Sequence, residues 1–256
     1  MDEIIRVKNL TKVYEDKFVK NNQLIAVDNV SFHVNKGETV GLLGESGSGK
    51  STIGKLLLGL EKPTDGEIYF FDKPIHSLSK SEFRPLRRDI QMIFQNPFGA
   101  LDKKMSIRDS LLEPLNLWEI GSSSEERMKK IHNILEVCGL DKTVLSRKPL
   151  EFSGGQLQRI TIARALLSEP KFLVADEIVS SLDVNIQNQI LKLLLDIIKE
   201  YKLSILFVTH DIAVARKISD RIIVMKDGKI EKDATTKEVL ETGDNDYINQ
   251  LKAAIF

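Results

Sequence analysis

Cysteine is almost missing from this chain. Cys138 is the single one among 256 residues, so neither an intrachain disulfide nor a cysteine-based metal cluster can form. It falls on the apolar stripe of a predicted helix, where a thiol acts as a small core residue. Net charge is missing too. Lys+Arg and Asp+Glu each number 37, a formal balance of +0. That balance argues against a broad nucleic-acid-binding face, without excluding a local patch. No apolar run reaches the roughly 18 residues needed to span a bilayer. The opening Met1-Asp2-Glu3 is acidic and polar, unlike an export signal. The chain therefore reads as cytosolic, reaching a membrane only through partners. Internal repeats and low-complexity segments are also lacking. A hydrophobic share of 42% suffices for one large packed domain or two small ones.

Against that background one stretch stands out. Gly44-Glu45-Ser46-Gly47-Ser48-Gly49-Lys50-Ser51-Thr52 reads G-x-x-x-x-G-K-[ST], a phosphate-binding loop. Its glycines let successive backbone N–H groups face one anion. A helix starting near Lys50 would point its positive end at the same place. Lys50 can reach β- and γ-phosphates, and the Ser51 hydroxyl suits Mg²⁺. The context fits, with an apolar strand predicted over 39–43 and a helix over 53–60.

Taken in order, the chain predicts a strand over 4–10, with Tyr14 following in a polar stretch. One or two strands are expected over 23–34, closed by a turn at Lys36-Gly37-Glu38. Pro63-Thr64-Asp65-Gly66 reads as a turn before a strand at 67–71. A short helix over 81–88 is made irregular by Pro85, and a strand covers 90–94. From Pro97 to Pro149 no good strand is found. Residues 106–113 look helical. A capping arrangement at Ser122–Glu126 opens a helix with Met128, Ile131, Ile134, Leu135 and Cys138 on one face, ended by Gly139. The region 97–150 thus reads as an all-helical insert in an α/β domain. After it come a helix over 156–168 and a strand over 172–175. A long helix over 184–202 turns Ile186, Ile190, Leu193, Leu194, Ile197 and Tyr201 inward. A strand at 204–209, a helix at 212–218, a strand at 221–225, a hairpin at Asp227-Gly228 and terminal helices at 235–241 and 247–254 complete the pattern. Alternating strands and helices imply a mostly parallel sheet.

Phe172–Glu177 is an apolar strand ending in two acids, which are costly there unless they have work to do. Their natural place is beside the phosphate loop, at the carboxyl ends of parallel strands. Asp176 would hold Mg²⁺. Glu177 could accept a proton from the water attacking the γ-phosphate. His210 follows another apolar strand and could contact that phosphate. His33, His76 and His132 have no such placement and read as surface or core residues. Gln95, at the end of a strand, could bond the metal or the attacking water. Ser153-Gly154-Gly155-Gln156 opens a helix with exposed N–H groups and Ser153 as N-cap or phosphate donor. Two anion-binding helix starts but one acid pair make sense if two chains share each site.

Together these residues resemble the ATP-binding cassette (ABC) ATPases, the motor subunits of ABC transporters, over nearly the whole length. Gly44–Thr52 matches the Walker A motif, Gln95 the Q-loop, Ser153–Gln156 the signature and Phe172–Glu177 Walker B. Ser181-Leu182-Asp183 matches the D-loop, His210 the switch histidine, and Tyr14 the aromatic residue that stacks on adenine. The resemblance implies a P-loop, RecA-like α/β core with a mostly parallel sheet and an antiparallel β-subdomain over 1–96 and 151–234. It implies an inserted helical subdomain over 97–150, with the signature at its end, and C-terminal helices over 235–256. It implies ATP and Mg²⁺ (on Ser51, Gln95 and Asp176), and a head-to-tail dimer in which the signature and Asp183 of one chain close on ATP held by the other. Two departures are visible, Phe152 where many relatives have Leu, and Ile178-Val179 where Pro-Thr is common. Neither removes a catalytic side chain.

Residues 91–101, 152–160 and 181–187 resemble the oligopeptide/dipeptide/nickel importers. That branch implies two permeases docked near Gln95–Leu115, a second and different ATPase chain, an extracytoplasmic binding protein, and a peripheral position on the cytoplasmic face of the membrane. The short tail after 235 lacks the cysteine cluster of some peptide importers and keeps nickel or metal chelates as a rival cargo. A soluble ABC protein acting on DNA or ribosomes is the alternative, though the usual second cassette, coiled coil or zinc motif is missing. A nucleotide switch without catalysis is the third reading, opposed by Glu177 and His210.

Overall fold

Three short strands have every residue buried, the mark of strands covered on both faces. They anchor the computed structural model of the chain, which describes residues 2–15, 23–241 and 246–253. The chain divides into two compact units, residues 1–85 with 204–256, and residues 86–203. In the first unit come β1 (Glu3–Glu15), β2 (Gln23–Asn35), β3 (Thr39–Leu43), α1 (Lys50–Leu57), β4 (Asp65–Phe70), β5 (Lys73–Pro74) and α2 (Lys80–Phe83). The second unit holds α3 (Leu86–Asp89), β6 (Ile90–Ile93), α4 (Pro97–Ala100), α5 (Ile107–Leu117), α6 (Ser124–Val137), α7 (Gly154–Leu166), β7 (Phe172–Asp176) and α8 (Val184–Tyr201). The chain returns to the first with β8 (Ser204–Thr209), α9 (Ile212–Ile218), β9 (Arg221–Lys226), β10 (Lys229–Thr235), α10 (Thr236–Glu241) and α11 (Asp246–Ala253).

In the first unit β3 lies parallel to both β8 and β9, and β10 folds back antiparallel on β9. The turn between β9 and β10 is Asp227-Gly228, both left-handed at φ 47° and 80°, the pairing that matches strand twist. A separate antiparallel sheet runs β2-β1-β4-β5. Here β1 reaches Glu15 rather than stopping at Leu10, because β2 pairs with it along its length. Bulges at Asn9 (φ 48°) and Asn29 (φ 51°) absorb the register shifts. The expected turn at 63–66 is shorter than read from sequence. Strand β4 already starts at Asp65, and Gly66 (φ 90°) runs so close to the Asn9 bulge that a Cβ would lie 2.4 Å from the Asn9 carbonyl oxygen.

In the second unit β6 and β7 are parallel, with Ile93 opposite Ala175. Residues 97–150 contain only helices and 3₁₀ turns, as the pattern predicted. Helix α5 runs four residues past Glu113 with Pro114 inside it. The proline removes one helix hydrogen bond and costs about 3 kcal/mol. Ile107, Leu111 and Leu115 are completely buried one turn apart and outweigh it at about 1.5–3 kcal/mol each. Tyr201 was expected inward and is instead 48% exposed. The reason lies in the helix end. Lys202 turns left-handed (φ 49°), the Leu203 N–H bonds the Ile198 carbonyl, and Leu203 takes the buried place. Terminal helices lie close to the expected ranges; residue 254 falls outside the described residues. No helix among the described residues is long and apolar enough to cross a membrane.

Candidate functional site

In the first unit Leu43 of β3 stands opposite Thr209 of β8, so the chain leaves both strands at one end. Gly44 departs from one and His210 from the other. The 44–49 loop leads into α1, whose N-cap is Gly49 at φ 100°, ψ −3°, a residue without a side chain to cap the helix. A helix start that follows a glycine N-cap is a geometry that suits an anion. Gly47 (φ 84°) has nothing within 4 Å of where a Cβ would stand, whereas one at Gly44 would lie 2.3 Å from the Met225 carbonyl oxygen. Lys50 is 3% exposed. Its Nζ donates to the Gly44 carbonyl (2.8 Å), the Glu45 carbonyl (2.7 Å) and Ser48 Oγ (3.3 Å). The ammonium is thus clasped by its own loop. Glu45 and Ser46 are exposed, Ser48 is buried, and Ser51 and Thr52 are half-buried in the first turn of α1.

Tyr14 sits near the end of β1, with Lys12 Nζ 5.0 Å from its ring centre. Its hydroxyl donates to Glu61, and burial together with that carboxylate raises its pKa. His210 is exposed. Asp211 beside it caps α9, accepting from the Ala213 (2.7 Å) and Val214 (3.3 Å) amides. This cap fixes the backbone that carries the histidine.

In the second unit the parallel register carries Gln95 and Glu177 to one end, two residues beyond the Ile93–Ala175 pair. Asp176, the last residue of β7, is 8% exposed. Glu177 follows in a left-handed conformation, φ 47°. Gln95 Nε2 donates to Glu177 Oε2 (3.0 Å) and to Ser180 Oγ (3.4 Å). Sequence reasoning missed Ser180. Its Oγ donates to the Glu177 carbonyl (2.9 Å) and closes the turn that holds Glu177. The signal was there, a serine three residues after the acid.

Ser153 caps α7 reciprocally with Gln156, each side chain bonded to the other's amide. A Cβ on Gly155 would lie 2.5 Å from Ile186 Cγ2, while one on Gly154 would meet only Leu182, at 3.6 Å. These glycines let α7 pack against the 181–186 segment. Asp183 caps α8, accepting from the Ile186 amide at 3.0 Å. The two departures fill space. Phe152 is buried under the Arg147 guanidinium, 4.1 Å from the ring centre. Ile178 and Val179 are buried too, at 1% and 2% exposure. Among the described residues no group of three or more His, Cys, Asp and Glu side chains gathers to hold a metal. Mg²⁺ bound mainly through phosphates needs no such cluster.

A glycine cradle ending in a clasped lysine, in a strand–loop–helix setting, defines a P-loop nucleoside triphosphatase. A sequence model described as "ABC transporter" matches residues 27–180, and the chain belongs to that family. The chain is 40% identical to the oligopeptide transport ATP-binding protein OppF of Bacillus subtilis, over 99% of this chain and 83% of the relative. It is 46% identical to the glutathione import ATP-binding protein GsiA of Salmonella paratyphi A, over 90% of this chain and 37% of that one. Among solved structures, the dimeric post-hydrolysis state of the ATP-binding cassette MJ0796 bound to ADP and Pi superposes with TM-score 0.81 at 34% identity, covering 91% and 98% of the two chains. CbiO1 from Clostridium perfringens, part of the ABC transporter complex cbiONQ, gives 0.81 at 30% identity, covering 94% and 91%. The fold is that of an ABC ATPase, and the protein is an ATPase that uses ATP with Mg²⁺ as the motor subunit of an ABC importer.

Proposed function

We propose that this ATPase drives a peptide importer. Hydrolysis here is coupled to uptake through two permeases. A second, different ATPase chain completes a head-to-tail pair, and an extracytoplasmic binding protein delivers the cargo. The chain works at the cytoplasmic face of the membrane as a peripheral subunit. The peptide cargo is supported by relatives matched over 98% or more of the chain, which are named for oligopeptide or peptide import. None of these three names nickel, so metal chelates stand behind peptides.

The observation that carries the catalytic reading is the Gln95–Glu177 hydrogen bond directly beyond Asp176. Glu177 takes the proton from the attacking water, and its left-handed backbone, held by Ser180, aims the carboxylate. Gln95 holds that carboxylate until it turns to the metal or the water. Lys50 and the 44–52 amides bind the phosphates, Ser51 and Asp176 hold Mg²⁺, His210 contacts the γ-phosphate, and Tyr14 stacks on adenine. Mg²⁺ neutralises charge developing on the phosphoryl oxygens. Ser153–Gln156 and Asp183 serve the ATP of the partner chain.

For the permease, the second unit offers a cleft of about 220 Å³ lined by Met92, Phe94, Glu113, Leu117, Trp118 and Arg164. Phe94 is 42% and Leu117 50% exposed there, a surface suited to an apolar helix. The test is purification from the native membrane with this subunit tagged, followed by mass spectrometry. Two permeases and a second ATPase are expected, and the associated binding protein should take peptides rather than Ni²⁺ chelates. Recovery of the chain alone, or with ribosomes or DNA, would overturn the importer reading.

A further inference from the structure

Tyr247 lies 202 residues from the phosphate loop in sequence, yet its hydroxyl accepts a hydrogen bond from the Glu45 N–H at 3.0 Å. The same hydroxyl donates to the Met225 carbonyl at 3.4 Å. The ring is 4% exposed, packed in a core cluster with Leu43, Val224, Ile248 and Val239. Leu43 is the last residue before the loop. Tyr247 thus packs under the end of β3 and reaches the first peptide beyond it.

That peptide, Gly44–Glu45, is held at both ends. Its carbonyl oxygen, on Gly44, accepts from Lys50 Nζ at 2.8 Å, and its N–H donates to Tyr247. Gly44 cannot escape sideways, since it already runs against the Met225 carbonyl to which Tyr247 is tied. The peptide plane therefore fixes one of the oxygens that clasp the Lys50 ammonium. We infer that Tyr247 is a positioning residue for nucleotide binding, through which α11 holds the phosphate loop and Lys50 in their binding arrangement. The inference rests on the reading of this loop as the ATP site.

The test uses the full chain. Tyr247→Phe removes the hydroxyl and keeps the ring. Losing one such tie should weaken ATP binding about 3–10-fold. In the assembled complex KM for ATP should rise more than kcat falls. Hydrogen exchange of the nucleotide-free protein gives an independent reading. The Glu45 amide should be protected in the wild type and exchange faster in the variant, with β3 amides unchanged. Ile248→Val separates this role from mere packing. It trims the same helix contact, should lower Tm by about 2–4 °C, and should leave the ATP Kd unchanged. A folded Tyr247→Phe protein that binds ATP like wild type would overturn the inference. So would a freely exchanging Glu45 amide in the wild type, a measurement that stands even if the variant does not fold. Failure of the wild type to bind ATP would sink the site reading instead, while Glu45 protection would still report on the tie.

Discussion

Replacing Gly49 by alanine tests whether the loop's shape, rather than its sequence motif, makes the nucleotide site. Two costs arise at this position. The backbone stands at φ 100° and ψ −3°. Left-handed conformations cost an L-residue about 1–2 kcal/mol. The added Cβ would also lie 2.1 Å from the Ala26 carbonyl oxygen, a backbone atom of β2 that no rotamer change can move. Overpacking against fixed atoms costs about 1–3 kcal/mol. The sum is about 2–5 kcal/mol. It can be expressed as lost stability if the loop keeps its shape, or as lost affinity if the loop relaxes away.

Gly47 is the internal control. It shares the left-handed backbone at φ 84°, but nothing lies within 4 Å of its Cβ position. Gly47→Ala should bear only the backbone cost, about 1–2 kcal/mol, or about tenfold in ATP affinity. Gly49→Ala should lose about 30- to 5000-fold in ATP affinity, or about 4–20 °C in Tm, or a mixture of the two. Thermal melts without nucleotide and Mg²⁺–ATP titrations of both variants measure the two channels. A Gly49→Ala protein with wild-type Tm and wild-type affinity would refute the reasoning, as would a Gly47→Ala variant that is the more damaged of the two.

Glu177→Gln should retain ATP binding and nearly abolish turnover, read by nucleotide titration and phosphate release in the assembled complex; wild-type hydrolysis would remove Glu177 from its assigned role. Cys138 is completely buried, and that burial pushes its thiol up to about 12 against a small opposing effect of Arg159. It should resist alkylation at pH 8 in the folded protein and react once the chain is unfolded in denaturant. Burial alone would raise the Glu38 pKa, but Arg221 (2.8 Å) and the Asn35 amide (2.7 Å) prevail and lower it. A lowered folded pKa gives stability that is present above the unfolded value near 4.5 and lost as pH falls through the folded one. Because Arg221 keeps Asp233 as a partner, Glu38→Gln should cost about 1.5–3 kcal/mol at pH 7 and progressively less in melts as pH falls below 4.5, whereas a constant difference across that range would argue against the pairing.

What could be read from the sequence was whatever local chemistry dictates. The phosphate loop declared itself because glycine, lysine and serine at fixed spacing leave the backbone few alternatives, and the strand and helix around it lie where the apolar pattern put them. The strand-free stretch from Pro97 to Pro149 was legible through helical periodicity and serine caps. The errors share a different cause. Tyr201 continued an apolar stripe, and only the competing burial of Leu203 turned it outward. The helix read over 106–113 continues through Pro114 to Leu117, carried past the proline by the buried seam of Leu111 and Leu115. The strand over 65–70 starts early because Asn9, more than fifty residues away, bulges to meet Gly66. In each case a contact remote in sequence outweighed a local preference worth about 1–3 kcal/mol. The same limit applies to the candidate site. Gln95 and Glu177 could be singled out one by one, but their hydrogen bond follows from strand register, which no single segment encodes. Tyr247 is the extreme case. Nothing in the 246–253 helix suggests a phosphate loop, because a tyrosine in an apolar stripe is ordinarily core. Its hydroxyl acquires a function only from the packing that brings it to Glu45. Residues that bind can be recognised by their own chemistry, whereas residues that hold the binders in place are defined by the fold.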